Sequence, residues 1–296
     1  MIKQLGRGKR ITDNAVGFLL VLPAIAIFCG IILYPFLNSV FMSFTDRSLL
    51  SPDHKMVGVQ NYLKTFRDPT FIQTLKNTGV FVLFSTALPF ILGFIWSIIL
   101  NNKFKGAGFL RGVTLINWII PGASISFLWS FIFDTNHGIV NEALKSIGLI
   151  SENVNWLGSG TTAMFAVIIA RTWQMLPWYM SFLTGGLQGV SEEQIEAARI
   201  DGAGNLRVFR YVILPEMKAI AIIILILGII GNLQHFDIPQ VMTSGGPAGS
   251  TKLLSISVYR QAFTSYKVGM AATIGTVWAV ILAAFSFYYT RKTEKN

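Results

Sequence analysis

Charged residues are scarce in this chain. Only 13% of its 296 residues are Asp, Glu, Lys or Arg, whereas 52% are hydrophobic and the mean hydropathy is +0.56. Soluble globular domains contain about 25% charged residues. The composition therefore excludes an ordinary soluble domain and indicates a membrane protein.

Cysteine and histidine are almost absent. The single Cys29 cannot form a disulfide within the chain. The three histidines, His54, His137 and His235, are scattered, and no His or Cys pair has metal-ligand spacing. We expect no bound metal, and nothing in the pattern indicates a nucleophilic triad.

A phosphate-binding P-loop is also missing. Such a loop needs two glycines with four residues between them, followed by Lys and then Ser or Thr. The nearest match, Gly8-Lys9-Arg10, lacks both the earlier glycine and the hydroxyl residue. We therefore expect a chain that is not an enzyme, does not hydrolyse ATP and has no cofactor of its own.

Long apolar runs are what the chain has instead. A helix needs about 20 mostly apolar residues to cross a bilayer, and five such windows contain no Lys, Arg, Asp or Glu. A sixth window, from Thr162 to Leu183, is equally apolar except for Arg171. All six should be helical, since hydrocarbon offers an open backbone no hydrogen-bond partner. We predict an all-α membrane protein with six transmembrane helices at residues 15–37, 78–100, 113–133, 162–183, 217–240 and 268–290.

Shorter features lie within and between these windows. Kinks are expected at the internal prolines Pro23, Pro89, Pro121 and Pro177. The segment Val57–Thr78 has apolar residues at helical spacing, which predicts a short amphipathic helix. The stretch "VNEALKSIGL" predicts another, and Thr243–Thr251 is rich in turn formers.

The Lys and Arg residues orient the spans. Six crossings put both ends on one side, and that side then holds fourteen of these cations against nine on the other. Because cytoplasmic loops retain Lys and Arg, we predict an N-in, C-in multi-pass protein of a bacterial cell membrane. Residues 1–14 and 291–296 are then cytoplasmic tails around a six-span domain, 15–290. The basic residues behind the net charge of +10 flank the apolar spans. We therefore expect membrane lipid rather than nucleic acid as the partner.

The predicted cytoplasmic loop at residues 188–216 carries unusually strong helix signals. Ser191 and Gln194 fit a capping box, and Glu192 and Glu193 occupy the first turn, where the helix dipole favours anions. Gly202 supplies the permissive backbone dihedrals for ending the helix.

A second short helix should follow the turn. Ile195, Ala198 and Gly202 share one face of the first helix, which is therefore nearly bare of large side chains. Asn205 is expected to cap the second helix and Pro215 to end it. The pattern alone leaves two interpretations open, a connector packed on the membrane helices and a docking surface for a partner.

The same loop resembles the EAA loop of ABC importer permeases. The pattern of that loop is E-A-A, x3, G, x9, I-x-L-P. This chain has Glu196-Ala197-Ala198, then three residues and Gly202, then nine residues and Val212, one more residue, and Leu214-Pro215. The match departs at Val212, where the pattern has Ile. Gly204 stands where the sugar branch often has Ser.

Further stretches resemble the carbohydrate-uptake branch of these permeases over roughly residues 15 to 290. They include "VGVQNY", "DPTF", "GGLQGV" and "FDIPQVMTSGGPAGST". The resemblance implies a type I ABC importer permease fold and half of a translocation pore for a sugar or oligosaccharide. It also implies a second similar permease, two cytoplasmic ATPases that bind ATP and Mg, and an extracytoplasmic solute-binding protein.

In that family the EAA helix inserts into a cleft of the ATPase. Carried over to this chain, the resemblance implies an ATPase-coupling surface made of Glu192, Glu193, Glu196, Ala197, Ala198, Arg199, Asp201 and Gly202.

Polar residues inside the apolar windows are candidates for a solute path, because they are costly in a membrane and tend to face the bundle interior. Hydrogen-bonding groups and aromatic faces suit a sugar. The candidates are Arg171, Gln174, Trp178, Asn232, His235 and Asp237. The alternative is that they bridge packed helices, with Arg171 pairing either with Asp237 or with a partner permease. The outer loop Thr243–Thr251 either contacts the binding protein or is a simple turn.

Two other functions remain open. An ABC permease could carry a non-sugar solute such as glycerol phosphate or a polyamine, and Arg171 is compatible with an anionic solute. An ion-driven secondary transporter would need no ATPase, but it would normally show inverted repeats and paired discontinuous helices, which the sequence lacks. The sequence does not identify the solute.

Overall fold

The computed structural model describes residues 13–101 and 104–293. The predictions for residues 1–12 and 294–296 lie outside the described residues. The helices, in chain order, are α1 (Asp13–Ile27), α2 (Tyr34–Met42), α3 (Gln60–Arg67), α4 (Pro69–Asn101), α5 (Ala107–Ile119), α6 (Gly122–Ile132), α7 (Ile139–Ser146), α8 (Gly160–Gln188), α9 (Glu192–Ile200), α10 (Asn205–Val208), α11 (Leu214–Leu233), α12 (Asp237–Thr243), α13 (Leu254–Tyr259) and α14 (Val268–Thr293). The all-α fold is confirmed.

Three π-helical turns join or extend these helices. Phe28–Leu33 links α1 to α2, Phe209–Ile213 links α10 to α11, and Arg260–Thr264 extends α13. Within the described part, four continuous helical stretches are long and apolar enough to cross a membrane: Val16–Met42, Pro69–Asn101, Asn205–Leu233 and Val268–Phe287.

The helix α8 occupies the predicted fourth span. Its 29 residues reach about 43 Å at 1.5 Å per residue, but polar residues such as Arg171 and Gln174 make it less apolar than the four stretches above. Six spans are therefore reached only if α8 counts as one span and the bent pair of α5 and α6 counts as another.

The predicted third span, residues 113–133, is wrong as a single helix. Its two halves, α5 and α6, meet at a bend of 100°. Ile120 is extended, with ψ 131°, and Pro121 precedes the first residue of α6. The proline ring disfavours helical dihedrals at the preceding residue, and here that preference breaks the helix completely rather than kinking it.

The fifth predicted span has different ends in the structure. The prediction that Pro215 ends a short helix is wrong, because the π-turn Phe209–Ile213 leads directly into α11 and places the proline in its first turn. Pro215 therefore lies at the junction of the π-turn and α11, inside the continuous stretch Asn205–Leu233. The span then ends at Leu233 rather than at residue 240. By contrast, α1, α4 and α8 continue through Pro23, Pro89 and Pro177.

The core of the molecule is the packing of α4, α8 and α11 around Tyr179. This side chain is fully buried. A Cβ added at Gly93 of α4 would lie 2.8 Å from the Tyr179 Cβ, and one added at Gly228 of α11 would collide with the Tyr179 hydroxyl. Two small residues therefore allow three helices to approach one tyrosine closely.

The first span, Val16–Met42, buries none of its side chains against the rest of the chain. It is held at its end, where the Asn61 side-chain amide donates hydrogen bonds to the carbonyls of Ser43 (3.0 Å) and Thr45 (2.8 Å). The Thr273 hydroxyl donates to the same Ser43 carbonyl at 3.0 Å. The span is thus anchored at one end and uncovered along its length.

The short helices of the predicted outer loops are confirmed as α3 and α7. The apolar residues Phe71 and Leu75, however, already belong to α4, which begins at Pro69. The turn-rich loop after α12 is also confirmed, since Ser244, Gly245, Ala248 and Gly249 all have positive φ.

Candidate coupling loop and intramembrane polar cluster

The start of α9 matches its sequence signals. The Ser191 hydroxyl accepts a hydrogen bond from the Gln194 amide at 3.4 Å, and Glu192 and Glu193 lie in the first turn. Carboxylates at this end are stabilised by the helix dipole. The predicted capping is confirmed, and the helix begins at a defined residue.

The end of α9 is a Schellman motif. Gly202 has φ +80°, its amide donates to the Arg199 carbonyl at 3.0 Å, and the Ala203 amide donates to the Ala198 carbonyl at 2.9 Å. Glycine is favoured there because L side chains rarely adopt this φ. A Cβ at Gly202 would meet nothing within 4 Å, so the constraint is the backbone dihedral and not the available space.

The second short helix differs from the prediction at its start. Gly204 takes the capping position, without a side-chain hydrogen bond, and Asn205 is the first residue of α10. The prediction that Asn205 caps this helix is therefore wrong. An extended glycine can leave the helix amides to water, so no capping side chain is needed at this exposed turn.

The face predicted to be bare is partly turned inward. Ile195 and Ala198 are half-buried, and Ile195 packs against the buried cluster that also receives Phe209, Val212 and Ile213. The outward surface of α9 and its turn is instead acidic, with Ala197 among charged neighbours. Its exposed residues include Glu192, Glu193, Glu196, Ala197, Arg199, Asp201 and Gly202.

Three exposed apolar residues of the loop were missed by sequence reasoning. Ile200 is 86% exposed, Leu206 78% and Tyr211 70%. Ile200 lies off the face that Ile195, Ala198 and Gly202 share, and this offset is the signal that could have identified it. Large apolar side chains exposed at a water-facing loop are typical of an interaction surface.

The loop is joined rigidly to the membrane helices. Ile195 packs into a cluster that includes Leu187 of α8, Met217 of α11 and Phe94 of α4. The rings of Phe94 and Phe209 meet edge to face at 5.7 Å. Because close-packed interiors transmit displacement, a push on α9 would move the ends of three long helices together.

Three of the six candidate path residues form a buried hydrogen-bonded cluster. Arg171 donates from Nε to the Asn232 Oδ1 at 2.8 Å and from one terminal nitrogen to the Gln174 Oε1 at 2.6 Å. The Asn232 amide in turn donates to the Ser85 carbonyl (2.9 Å) and to the Thr86 hydroxyl (3.0 Å). These bonds tie α4, α8 and α11 together, as the interhelical interpretation expects. A role in the solute path stays a prediction.

The other three candidates lie beside this cluster. Trp178 is half-buried and its ring packs on Tyr179 at 4.9 Å. The His235 ring stacks on Phe81 at 5.9 Å with an interplanar angle of 8°. Asp237 is exposed in the first turn of α12.

Arg171 does not pair with Asp237. Among the described residues, no carboxylate oxygen lies within 4 Å of the Arg171 guanidinium. Its donors go to neutral amides instead, and Asp237 faces Gly122 at the start of α6. The same residues also contain no group of three His, Cys, Asp or Glu side chains arranged to hold a metal.

Comparison with known proteins places these features in a family. Residues 90–290 match the family described as binding-protein-dependent transport system inner membrane component. The chain is 32% identical over 282 residues to the trehalose/maltose transport system permease protein MalF of Thermococcus litoralis, covering 94% of each chain. It is 32% identical over 286 residues to the lactose transport system permease protein LacF of Rhizobium radiobacter, covering 94% of this chain and 95% of that one.

The fold has a close structural counterpart. A chain in the crystal structure of a bacterial ABC transporter involved in the import of the acidic polysaccharide alginate superposes with a TM-score of 0.82 at 18% identity, over 97% of this chain and 98% of that one. At this identity the likeness concerns the fold alone, a type I ABC importer permease fold. The chain therefore belongs to the family of inner membrane components of binding-protein-dependent transport systems.

Proposed function

We propose that this chain is one transmembrane subunit of an ATP-driven carbohydrate importer and forms half of its pore. Family membership supports an importer and gives no support to the ion-driven alternative. Relatives named for trehalose/maltose, lactose and diacetylchitobiose uptake support a carbohydrate as the solute. The observation that carries the proposal is the capped helix α9, whose Ile195 packs against a buried cluster with members from α4, α8 and α11.

The α9 surface is proposed to dock into a cytoplasmic ATPase subunit, which supplies ATP and Mg. The chain offers a defined helix with carboxylates at its start, Ala197 in its exposed middle, and exposed Ile200 and Leu206 near its end. An acidic and apolar surface of this kind fits a cleft with basic groups and an apolar wall. Closure of the ATPase pair would then move α9 and, through its packing, the membrane helices.

A second permease subunit is proposed to cover the first span. Val16–Met42 contributes no buried side chain within this chain, and an apolar helix with one anchored end can pack on a neighbouring subunit. The opposite face of the importer would receive an extracytoplasmic solute-binding protein. A chain that superposes with a TM-score of 0.80 comes from the crystal structure of a bacterial alginate ABC transporter. That transporter is in complex with a periplasmic protein that holds alginate pentasaccharide.

The six polar and aromatic candidates are proposed to line the solute path. The hydrogen-bonded Arg171, Gln174 and Asn232 would form its wall. Half-buried Trp178 offers an aromatic face for a sugar ring, and the exposed Asp237 offers a hydrogen-bond acceptor for hydroxyl groups.

Uptake measurements test this function. The importer would be expressed with its ATPases, second permease and binding protein in cells lacking other routes for the labelled sugars maltose, trehalose, lactose and diacetylchitobiose. We expect accumulation of at least one sugar, abolished when the ATPases cannot hydrolyse ATP. Accumulation that survives loss of ATP hydrolysis would refute an ATP-driven importer, and transport of a non-sugar solute alone would refute the carbohydrate assignment.

A further inference from the structure

A cleft of about 150 Å³ lies on the side of the chain predicted to face outward. It forms where α3, the first turn of α4, the segment 252–261 and the start of α14 meet. Its polar lining comes from Lys64, Thr65, Asp68, Thr70, Lys252, Ser257 and Gln261. We call these seven residues the outer basic cleft.

The positive charge of this cleft is only partly compensated by the described residues that line it, since Lys64 and Lys252 stand against the single carboxylate of Asp68. In the described ranges, no carboxylate oxygen lies within 4 Å of the ammonium group of Lys64 or Lys252. Asp68 is already engaged, since its two oxygens accept hydrogen bonds from the amide (2.8 Å) and hydroxyl (2.7 Å) of Thr70 at the start of α4. Burial lowers the pKa of Lys252, the neighbouring Arg260 lowers it further, and Asp68 raises it.

A polar group in the same cleft also lacks a partner. The Gln261 Oε1 atom is buried and makes no hydrogen bond within the part of the chain that the structure describes. The amide group is therefore not tied to a neighbour by its oxygen and can rotate to present its NH₂ group to an incoming acceptor. The cleft thus combines two ammonium groups with an amide donor.

The outer surface around the cleft is basic over a wider area. Residues 43–77 and 244–267, which build the cleft, together contain eight Lys and Arg against three Asp and Glu. The remaining outer segment, residues 134–160, contains one against three. A surface of this extent attracts a large acidic partner more strongly than a single small anion.

We propose that the outer basic cleft receives an Asp or Glu side chain from the extracytoplasmic solute-binding protein, an inference that rests on the proposed function. The volume suits one carboxylate side chain. The walls belong to the outer ends of α4 and α14, so a docked carboxylate would contact the ends of two membrane helices at once.

The test uses the complete importer in vesicles of phosphatidylcholine, a lipid without net charge. ATP hydrolysis is measured against the concentration of the binding protein at low and high NaCl. We expect Lys252→Glu and Lys64→Glu each to raise the half-saturating concentration about tenfold at low salt and less at high salt.

Two controls accompany these variants. Lys145→Glu reverses a charge on the other outer segment and should leave the half-saturating concentration unchanged. Lys252→Arg keeps the charge and should bind nearly as well as the parent protein. An acidic residue of the binding protein whose change to Lys restores the affinity of Lys252→Glu would identify the docked side chain.

Four outcomes would overturn the inference. Unchanged half-saturation in both Glu variants, with normal stimulation of the parent, would refute the cleft as a docking site while leaving the importer intact. An effect seen only in vesicles containing phosphatidylglycerol would assign the cleft to a lipid phosphate. A changed uptake constant for an acidic sugar, with binding-protein affinity unchanged, would assign it to solute. Absence of any stimulation of the parent would refute the proposed function itself.

Discussion

Gly202 offers the sharpest test of the proposal that α9 acts as a rigid element which transmits the movement of the ATPases to the membrane helices. Its φ of +80° ends the helix, and nothing lies within 4 Å of a Cβ placed there. A side chain would therefore be opposed by the backbone conformation alone. Placing an L residue in the left-handed region costs about 1–2 kcal/mol, and a β-branched residue is disfavoured further.

This free-energy cost is large enough to loosen the end of α9 but too small to unfold the protein. A loss of about 1.4 kcal/mol shifts the balance between the ordered and the frayed end of α9 about tenfold. The same loss is small against a typical unfolding free energy of about 5–15 kcal/mol. Gly202→Val should therefore insert and assemble normally while loosening the two hydrogen bonds that close the Schellman motif.

The assay compares solute transported with ATP hydrolysed in the reconstituted importer. We expect Gly202→Val to lower this ratio severalfold, Gly202→Ala to lower it less, and Gly202→Asn least, because Asn tolerates positive φ. Gly204→Ala is the matched control: Gly204 is exposed, has φ −68°, and a Cβ there also meets nothing within 4 Å. An unchanged ratio in Gly202→Val, or an equal fall of the ratio in Gly204→Ala, would refute the proposal that a rigid α9 transmits the movement.

Three further outcomes follow from the packing and hydrogen bonds. Gly228→Leu should destabilise the protein by at least about 1–3 kcal/mol, because the new side chain collides with the Tyr179 ring; thermal unfolding in detergent measures it. Asn232→Leu should cost about 2–4 kcal/mol by leaving Arg171 without its buried acceptor, and the apparent uptake constant shows whether the residue also contacts solute. Hydrogen bonds from backbone amides, His137 first and then Asn136, lower the pKa of Asp134. The stability that the Asp134 carboxylate gives its turn should be fully present above the pKa of the unfolded chain, and it should be lost as the pH falls through the lower pKa of the folded chain. Amide-exchange protection of the turn measures this loss.

Each of these outcomes has a control. Gly231→Leu places the same side chain on the same helix where nothing lies within 4 Å of the Cβ, so equal destabilisation by both leucines would contradict the packing explanation. For Asn232→Leu, unchanged stability would contradict the interhelical role. For Asp134→Asn, protection of the turn should no longer depend on acid pH; a dependence equal to that of the parent would exclude the carboxylate as its cause.

Local signals predicted α9 well. The Ser191 cap, the two first-turn glutamates and Gly202 act through neighbouring residues in the chain, so their effect does not depend on the surrounding fold. The apolar windows were informative for the same reason, because crossing length and composition are local properties.

The behaviour of prolines could not be predicted from composition alone. Pro121 breaks the chain into two helices at 100°, whereas Pro215 lies inside the continuous helical stretch Asn205–Leu233. The difference depends on the preceding π-turn Phe209–Ile213 and on how the neighbouring helices pack. These are tertiary features, and sequence position carries little information about them.

The candidate path residues show the same limit. Spacing placed Arg171 and Gln174 on one helix face, but their partner Asn232 is 61 residues away from Arg171. Spacing along one helix cannot show whether such a face meets a partner helix or open space. The exposed Ile200 and Leu206 were missed because the sequence alone does not show which apolar side chains of the loop stay uncovered by the membrane helices.

Labelling of α9 tests the central claim most directly. Cys29 is exposed and would be changed to Ser, and Ala197→Cys would then place one reactive thiol on the exposed middle of α9. Maleimide labelling is compared between the permease alone and the permease bound to its ATPases. We expect strong protection of this thiol in the complex, whereas equally fast labelling in both states would contradict docking of α9 on the nucleotide-hydrolysing partner.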